Sequence, residues 1–339
     1  MNKKILVTGG AGFIGSNLAA YYIKKGYTVT VFDNLSRQGS RSNVDWLKSI
    51  GRFNLLIGDI TEFADCKKAV KGQDAVFHLA AQVAVTTSVA SPREDFAINA
   101  LGTFNLLEAV RLSGQKSAFI FSSTNKVYGG MEKVKVVEKK GQYLYKDLSE
   151  GVPESMNLDF HSPYGCSKGA ADQYVRDYCR IYGLPTVVFR QSCIYGPRQF
   201  GIEDQGWVAW FIIAAVLGKK ITVYGDGKQV RDVLFIDDLV RLFDLALNNI
   251  SQVRGRVYNV GGGVKNILSV WTKFSPILEG LFGRKIKVKF SNWRPGDQKV
   301  YVSDIRLVEK ELGWAPSVSV EDGVRKLYYW VLENRELFK

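Results

Sequence analysis

Short apolar runs recur along the N-terminal part of the chain, and the segments between them keep a helical rhythm. The runs are Ile5–Thr8, Val29–Asp33, Leu55–Ile57, Ala75–His78, Ala118–Ser122 and Thr186–Arg190. Runs of this length, bounded by glycine and polar turns, read as buried strands. Alternating with helices, they predict an α/β fold with a doubly wound parallel sheet covered on both faces. After about residue 197 the rhythm breaks. Gly225-Asp226-Gly227, Gly261-Gly262-Gly263 and Arg294-Pro295-Gly296 mark turns, which predicts a smaller, mixed α/β lobe. The expected division is 1-197 with 230-256 for the sheet domain and 198-229 with 257-339 for the lobe. The segment from Val230 to about Asn249, with Leu239, Val240, Leu242, Phe243 and Leu245, is expected to return to the sheet. Val320 to Phe338 reads as an amphipathic helix closing the lobe.

Composition narrows this picture. The chain has 339 residues and 46% of them are hydrophobic, enough for about two domains with a sizeable core. The longest apolar run, Trp207 to Leu217, is too short to span a bilayer. It is apolar all round, so it predicts a helix buried at a domain or subunit contact and no membrane association. Met1-Asn2-Lys3-Lys4 runs straight into a core strand, which predicts a cytoplasmic protein with no signal peptide. Four cysteines without a CxxC pair, and only two histidines, predict reduced, half-buried thiols and no metal site. The net charge of +13 suits an anionic substrate or a solvated basic surface. The basic stretches, Lys133 to Lys140 and Arg284 to Lys289, read as strand or loop faces without stacking aromatics, which argues against nucleic acid.

Two constellations carry chemistry. The first is Thr8-Gly9-Gly10-Ala11-Gly12-Phe13-Ile14-Gly15, a G-x-x-G-x-x-G between a buried strand and a helix that Lys25-Gly26 ends. Glycines let the backbone approach a pyrophosphate, and the helix N-terminus offers free N–H groups and a positive dipole end. Asp33 ends the second strand, where a carboxylate holds both ribose hydroxyls and repels a 2′-phosphate. The expected cofactor is therefore NAD rather than NADP. Asp59-Ile60, after the third strand, is placed at the adenine. His78 ends the fourth strand and reads as a satisfied, partly buried histidine.

The second constellation is Ser162-Pro163-Tyr164-Gly165-Cys166-Ser167-Lys168. Pro163 suits a helix start, and Tyr164 and Lys168 then share one face at i and i+4. A phenol near an ammonium is expected to have a lowered pKa and to take a proton from a sugar hydroxyl as hydride leaves the same carbon. Ser122-Ser123-Thr124 stands at the carboxyl end of the fifth strand, where such sheets bind ligands, and Thr124 is placed on the same reacting oxygen.

With these motifs together, the chain resembles the extended short-chain dehydrogenases/reductases, the family of nucleotide-sugar epimerases and dehydratases. The likeness runs over nearly the whole length. It rests on Thr8–Gly15, Asp33-Asn34, Asp59-Ile60, Leu79-Ala80-Ala81, Asn99, Ser122–Thr124, Tyr164–Lys168, Tyr195-Gly196-Pro197, Arg231-Asp232 and Arg294 to Asp297. The resemblance implies a Rossmann sheet and a tightly bound, recycled NAD. It implies cofactor contacts from Gly9, Gly12, Phe13, Ile14, Gly15, Asp33, Asn34, Ser36, Arg37, Asp59, Ile60, Leu79, Ala80, Ala81, Gln82, Asn99, Ser122, Tyr164, Lys168 and Gln191, the last beside Ser192 at the nicotinamide. Arg231 and Arg294 are implied for a substrate diphosphate, with a surface ion pair as the competing role for each.

The family's 4,6-dehydratases place Asp-Glu after the catalytic threonine, and here that pair is Asn125-Lys126, which argues against dehydration. Leu158 to Tyr174, Arg198-Gln199-Phe200 with Asp204 to Trp207, and Gly227 to Asp232 resemble the branch that inverts C2 of CDP-linked hexoses. That implies Thr124, Tyr164 and Lys168 as the catalytic residues and a transient 2-keto sugar. Thr124, Asn125, His161, Gln205, Trp207, Tyr224, Arg231, Arg294 and Asp297 are implied on the substrate. C4 epimerisation of a sugar such as UDP-glucose is the alternative, because the tyrosine–lysine machinery does not distinguish the two carbons. His161 stands open between a sugar contact and packing, and Cys166 is assigned to packing. A homo-oligomer, dimer or tetramer, is expected.

Overall fold

The computed structural model describes residues 3–294 and 297–338. Pro295 and Gly296, two of the three residues of an expected turn, lie outside them. A seven-stranded sheet runs in the order Val257–Val260, Thr186–Gln191, Ala118–Thr124, Ala75–His78, Lys4–Thr8, Thr28–Asp33 and Asn54–Ile57. The five strands from Lys4 to Thr124 pair in parallel. Strand order reverses between Lys4–Thr8 and Ala75–His78, and a doubly wound sheet binds its ligand at such a reversal, outside the carboxyl strand ends. The six expected strands are all present, within two residues at each end. The seventh went unread because Arg256 and Asn259 interrupt its apolar run. Buried Asn259 is satisfied by Tyr128 Oη, the Glu154 carboxylate and Val152 O, which is how a polar residue survives in that strand.

Contacts divide the chain into two compact units: residues 1–127, 160–190 and 240–258, and residues 128–159, 191–239 and 259–339. This differs from the expected boundaries at four places, one of them the move of residues 257–258 into the first unit. Residues 128–159 and 191–197 join the second unit, and so do residues 230–239. The cause for the last is that Val230–Phe235 is the centre of a separate sheet, pairing with Ile267–Ser269, Val300–Tyr301 and Cys193–Tyr195. Only the later part of helix Ile236–Asn248 returns to the first unit, where Phe243 packs on the rings of Phe77 and Phe189. Burying such a ring contributes about 1.5–3 kcal/mol.

In the second unit, helix Trp207–Val216 buries Val208, Ala209, Phe211, Ile212, Ile213, Ala214 and Ala215. Its all-round apolar surface is thus covered within the unit, against helix Val320–Glu333, rather than at a subunit contact. Ser319 caps that last helix by accepting the Asp322 N–H at 3.1 Å, and the chain breaks at Asn334 before a short turn, Arg335–Phe338. The Lys-rich stretch forms a hairpin, Val136–Lys139 with Gln142–Tyr145, joined by Lys140 and Gly141 at φ 51° and 71°. Two left-handed residues match the twist of such a hairpin. Among the described residues no helix is long and apolar enough to cross a membrane.

Candidate active site

The glycine loop is held by backbone contacts that leave no room for side chains. A Cβ on Gly9, whose φ is +65°, would stand 2.7 Å from Ala80 N, and one on Gly15 would stand 2.2 Å from Gly9 O. Helix Phe13–Lys24 starts at Gly12 with no side-chain cap, so its first N–H groups are left for a ligand. Asp33 accepts the Ala11 N–H at 3.0 Å on one oxygen and the Leu35 N–H at 2.8 Å on the other. Burial raises its pKa, opposed by those two amides and by the Arg37 guanidinium. Asn34 donates to Asp59, Ser36 donates to Asn34, and Ile60 O accepts from buried Asn105. Uncapped amides beside a fixed carboxylate and a glycine cradle fit a dinucleotide. Asn43, which sequence reasoning missed, donates to Ala11 O at 3.0 Å and pins the loop from below.

Thr8 Oγ1 accepts the N–H groups of Leu79 and Ala80, each at 3.2 Å, so its proton goes to His78 Nδ1 at 2.8 Å. His78 Nε2 then donates to Thr103, which donates to Asn99 O. The ring is satisfied at both nitrogens as expected, but it is wholly rather than partly buried. Burial, helped by Lys168, holds its pKa well below the ordinary value. Asn99 in turn ties down Gln82, exchanging two hydrogen bonds of 3.0 Å with its backbone.

Tyr164 and Lys168 lie on helix Ser162–Tyr182, which Gly183 ends at φ +69°. Pro163 stands at its first turn, and Ser162 before it is held at φ +68°, a strained conformation for a residue that precedes proline. The Tyr164 hydroxyl has Thr124 as a polar neighbour that lowers its pKa. Lys168 Nζ donates to Ser122 O at 2.6 Å and sits 4.2 Å above the Phe121 ring. The expected lowering of the phenol pKa is not found. Burial raises it to about 12, Thr124 and the Arg37 charge lower it, and Asp95 raises it. Lys168 is spent on Ser122 O, and burial lowers its own pKa to about 7, against Asp172 and Asp95. Asp172 is clamped by Arg190 at 2.9 and 3.0 Å and takes the Ser123 proton at 2.8 Å.

The remaining expected residues scatter. Asn125 is buried beside Thr124, whose hydroxyl donates to it at 3.3 Å. His161 is exposed. Among the cysteines, Cys66 is fully buried and Cys166 exposed, so only Cys179 and Cys193 are half-buried. Gln191 falls in the second unit, with its Nε2 buried and without a partner among the described residues, while Ser192 gives its proton to Asp232. Also in that unit, Arg231 is buried and paired with Asp297 at 2.7 Å. Arg294 stacks 3.8 Å over Tyr224 and pairs with Asp204 at 2.9 Å. Both arginines therefore have carboxylate partners, although the Arg231 pair is buried and not the surface ion pair named as its competing role. Trp207 packs on Phe211 and Phe274, and Gln205 bridges to Ile202.

The chain matches the family described as GDP-mannose 4,6 dehydratase over residues 6–327. It is 49% identical to a CDP-paratose 2-epimerase of Salmonella typhi, over 96% of this chain and 98% of that one. Among solved structures it is similar to a UDP-glucose 4-epimerase of Thermotoga maritima holding UDP-glucose, at TM-score 0.84 and 32% identity over 98% and 99% of the two chains. It is also similar to the dTDP-glucose 4,6-dehydratase DesIV of Streptomyces venezuelae with NAD bound, at TM-score 0.85 and 30% identity over 99% of each.

Proposed function

The chain belongs to the GDP-mannose 4,6-dehydratase family of extended short-chain dehydrogenases/reductases, and from that membership we propose that it is an NAD-dependent isomerase inverting C2 of a CDP-linked hexose. The observation that carries the reading is Tyr164, with Thr124 as its polar neighbour, on a helix whose Lys168 is anchored at Ser122 O, with Asn125 and Lys126 next to the threonine. That set transfers one proton and offers no second carboxyl group to expel water. NAD, when bound at the glycine loop and Asp33, supplies a hydride acceptor that returns the hydride to the sugar. Tyr164 takes the C2 hydroxyl proton and gives it back, and Thr124 holds the same oxygen. Lys168 holds a ribose hydroxyl and places a positive charge below the tyrosine. Product and substrate are epimers, so there is no net redox change and the cofactor stays bound through the cycle. Binding energy falls on the nucleotide end, which leaves the sugar free to turn. The assigned residues there are Gln205, Trp207, Tyr224, Arg231, Arg294 and Asp297, with each arginine exchanging its carboxylate for the diphosphate. A cytoplasmic homo-oligomer is part of the same reading. The exposed Phe96, Leu101, Phe104, Tyr174 and Ile181, on the helices around residues 92–112 and 162–182, support a self-association face.

The test is to incubate purified protein, without added NAD, with CDP-glucose, CDP-paratose and UDP-glucose, and to follow the sugars by proton NMR. Inversion at C2 of a CDP-sugar is the expected result. A galactose signal from UDP-glucose moves the assignment to C4, as the likeness to the UDP-glucose 4-epimerase allows. No change in any of the three overturns the reading.

A further inference from the structure

Two cations and three carboxylates are buried among the described residues of the first unit. Asp172 is held in a two-point clamp by Arg190, and Asp244 faces Lys25 and Tyr21. That leaves Lys168, 4% exposed, and Asp95, 0% exposed. Asp95 accepts Gln82 Nε2 at 2.8 Å and Asn99 Nδ2 at 3.0 Å on one oxygen, and Ser167 Oγ at 2.5 Å on the other. Both amides are oriented by backbone N–H groups: Asn99 Oδ1 accepts from Gln82 N, and Gln82 Oε1 from Ala84 N. Their NH2 groups must therefore point at Asp95. Neither can accept a carboxylic proton, and that set of donors suits the ionised form. A carboxylate in a core with only neutral donors is costly unless a cation stands nearby to offset it. Ser167 lies on the helix between Tyr164 and Lys168, and both of those groups feel the charge of Asp95.

We propose that Asp95 is a counter-charge of Lys168, added to that of Asp172, and, through Ser167, the positioning residue for the helical turn that carries Tyr164 and Lys168. Its other two partners, Gln82 and Asn99, belong to the segment after the fourth strand, so one carboxylate joins the expected cofactor path to the catalytic helix. The assignment rests on Tyr164 and Lys168 forming the working pair, as proposed above, but not on the identity of the sugar. The titratable groups facing Asp95 are those two. Asp172 with Arg190, and neutral His78, also face Lys168, and Arg37 faces Tyr164. Arg93 and Glu94, its neighbours in the chain, are exposed.

The decisive experiment needs no substrate. Thermal midpoints are measured for the parent, Asp95→Asn, Lys168→Met and the double variant. If the two charges compensate each other, Asp95→Asn lowers the midpoint in the parent by about 2–4 °C and raises it in the Lys168→Met background. An equal change in both backgrounds overturns the proposal. Should Asp95→Asn not fold in the parent while the double variant does, the same coupling is shown. Should neither fold, Asp95 is structural irrespective of Lys168, and the proposal fails. A second readout uses whichever nucleotide sugar the parent turns over. Removing the negative charge makes Tyr164 and Lys168 both release their protons at lower pH, so both limbs of the pH–rate profile move down by about one pH unit. A profile reduced in height but unmoved in pH marks a purely structural residue. Failure of the epimerase reading shows in the parent, which then turns over none of the sugars, and leaves the thermal result standing.

Discussion

Gly15→Ala is the sharpest test of the nucleotide loop. The added methyl group would lie 2.2 Å from Gly9 O and 2.7 Å from Gly10 Cα, both backbone atoms of the loop itself. No rotamer relieves this, so loop and helix must part by roughly 1 Å, a displacement large enough to spoil a preorganised site. Overpacking costs about 1–3 kcal/mol, and the helix gains back about 1 kcal/mol from replacing glycine by alanine. The net loss of stability is therefore small, about 0–2 kcal/mol, while the loop amides lose their aim. Forfeiting one charge-assisted bond to a phosphate weakens binding by about 1.5–3 kcal/mol, or roughly 10–100-fold. The assay is the thermal midpoint of nucleotide-free protein with and without NAD. At a concentration about 100 times the parent Kd, NAD stabilises the parent by about 2.7 kcal/mol, and a 100-fold weaker variant by only about 0.4 kcal/mol. Gly280→Ala is the control. Gly280 lies inside helix Phe274–Phe282, and a Cβ there meets nothing within 4 Å. It is expected to stabilise by up to about 1 kcal/mol and to keep the full response to NAD. An unchanged NAD response in Gly15→Ala would refute the assignment of the loop.

Other outcomes follow from the same geometry. Tyr164→Phe removes the proposed proton-transfer group while Thr124 keeps Asn125 as a partner, so kcat falls about 10²–10⁴-fold with the thermal midpoint little changed; steady-state kinetics and a melting curve check both. Asp172→Asn leaves the Arg190 guanidinium buried without its charge partner and costs about 3–5 kcal/mol in denaturant unfolding. For Lys168, burial lowers the pKa from 10.5 to about 7, so between those values the unfolded chain binds more protons than the folded one. Its contribution to stability therefore rises with pH across that window, by ~5 kcal/mol at most, and the rise is absent in Lys168→Met; unfolding free energies at several pH values measure it.

The sequence was most legible where backbone geometry dictates residue type. Glycines at closest approach, the carboxylate ending the second strand, and the proline opening the catalytic helix can each be read without coordinates, because few other residues fit. The strands were legible because burial on both faces demands unbroken apolar runs. The seventh strand was not, since Asn259 is tolerated there only through partners distant in sequence. Unit boundaries were misplaced for a related reason. Residues 128–159 and 230–239 pack by pairings between segments far apart in the chain, and nothing local announces them. The phenol pKa was misjudged because i,i+4 spacing gives proximity but not the direction of a side chain. Lys168 turns to Ser122 O, and burial then governs the tyrosine.

That misjudgement bears on how the pair works. Burial disfavours the charged form of each group, raising the phenol to about 12 and lowering the ammonium to about 7. Charging either one in that core is costly. Asp95 works on the two in opposite senses: it favours the ammonium and disfavours the phenolate. Arg37 favours the phenolate, and so does Thr124. On this argument the tyrosine is not a standing base. Under the proposed function it becomes one when Arg37 and Thr124 outweigh burial and Asp95.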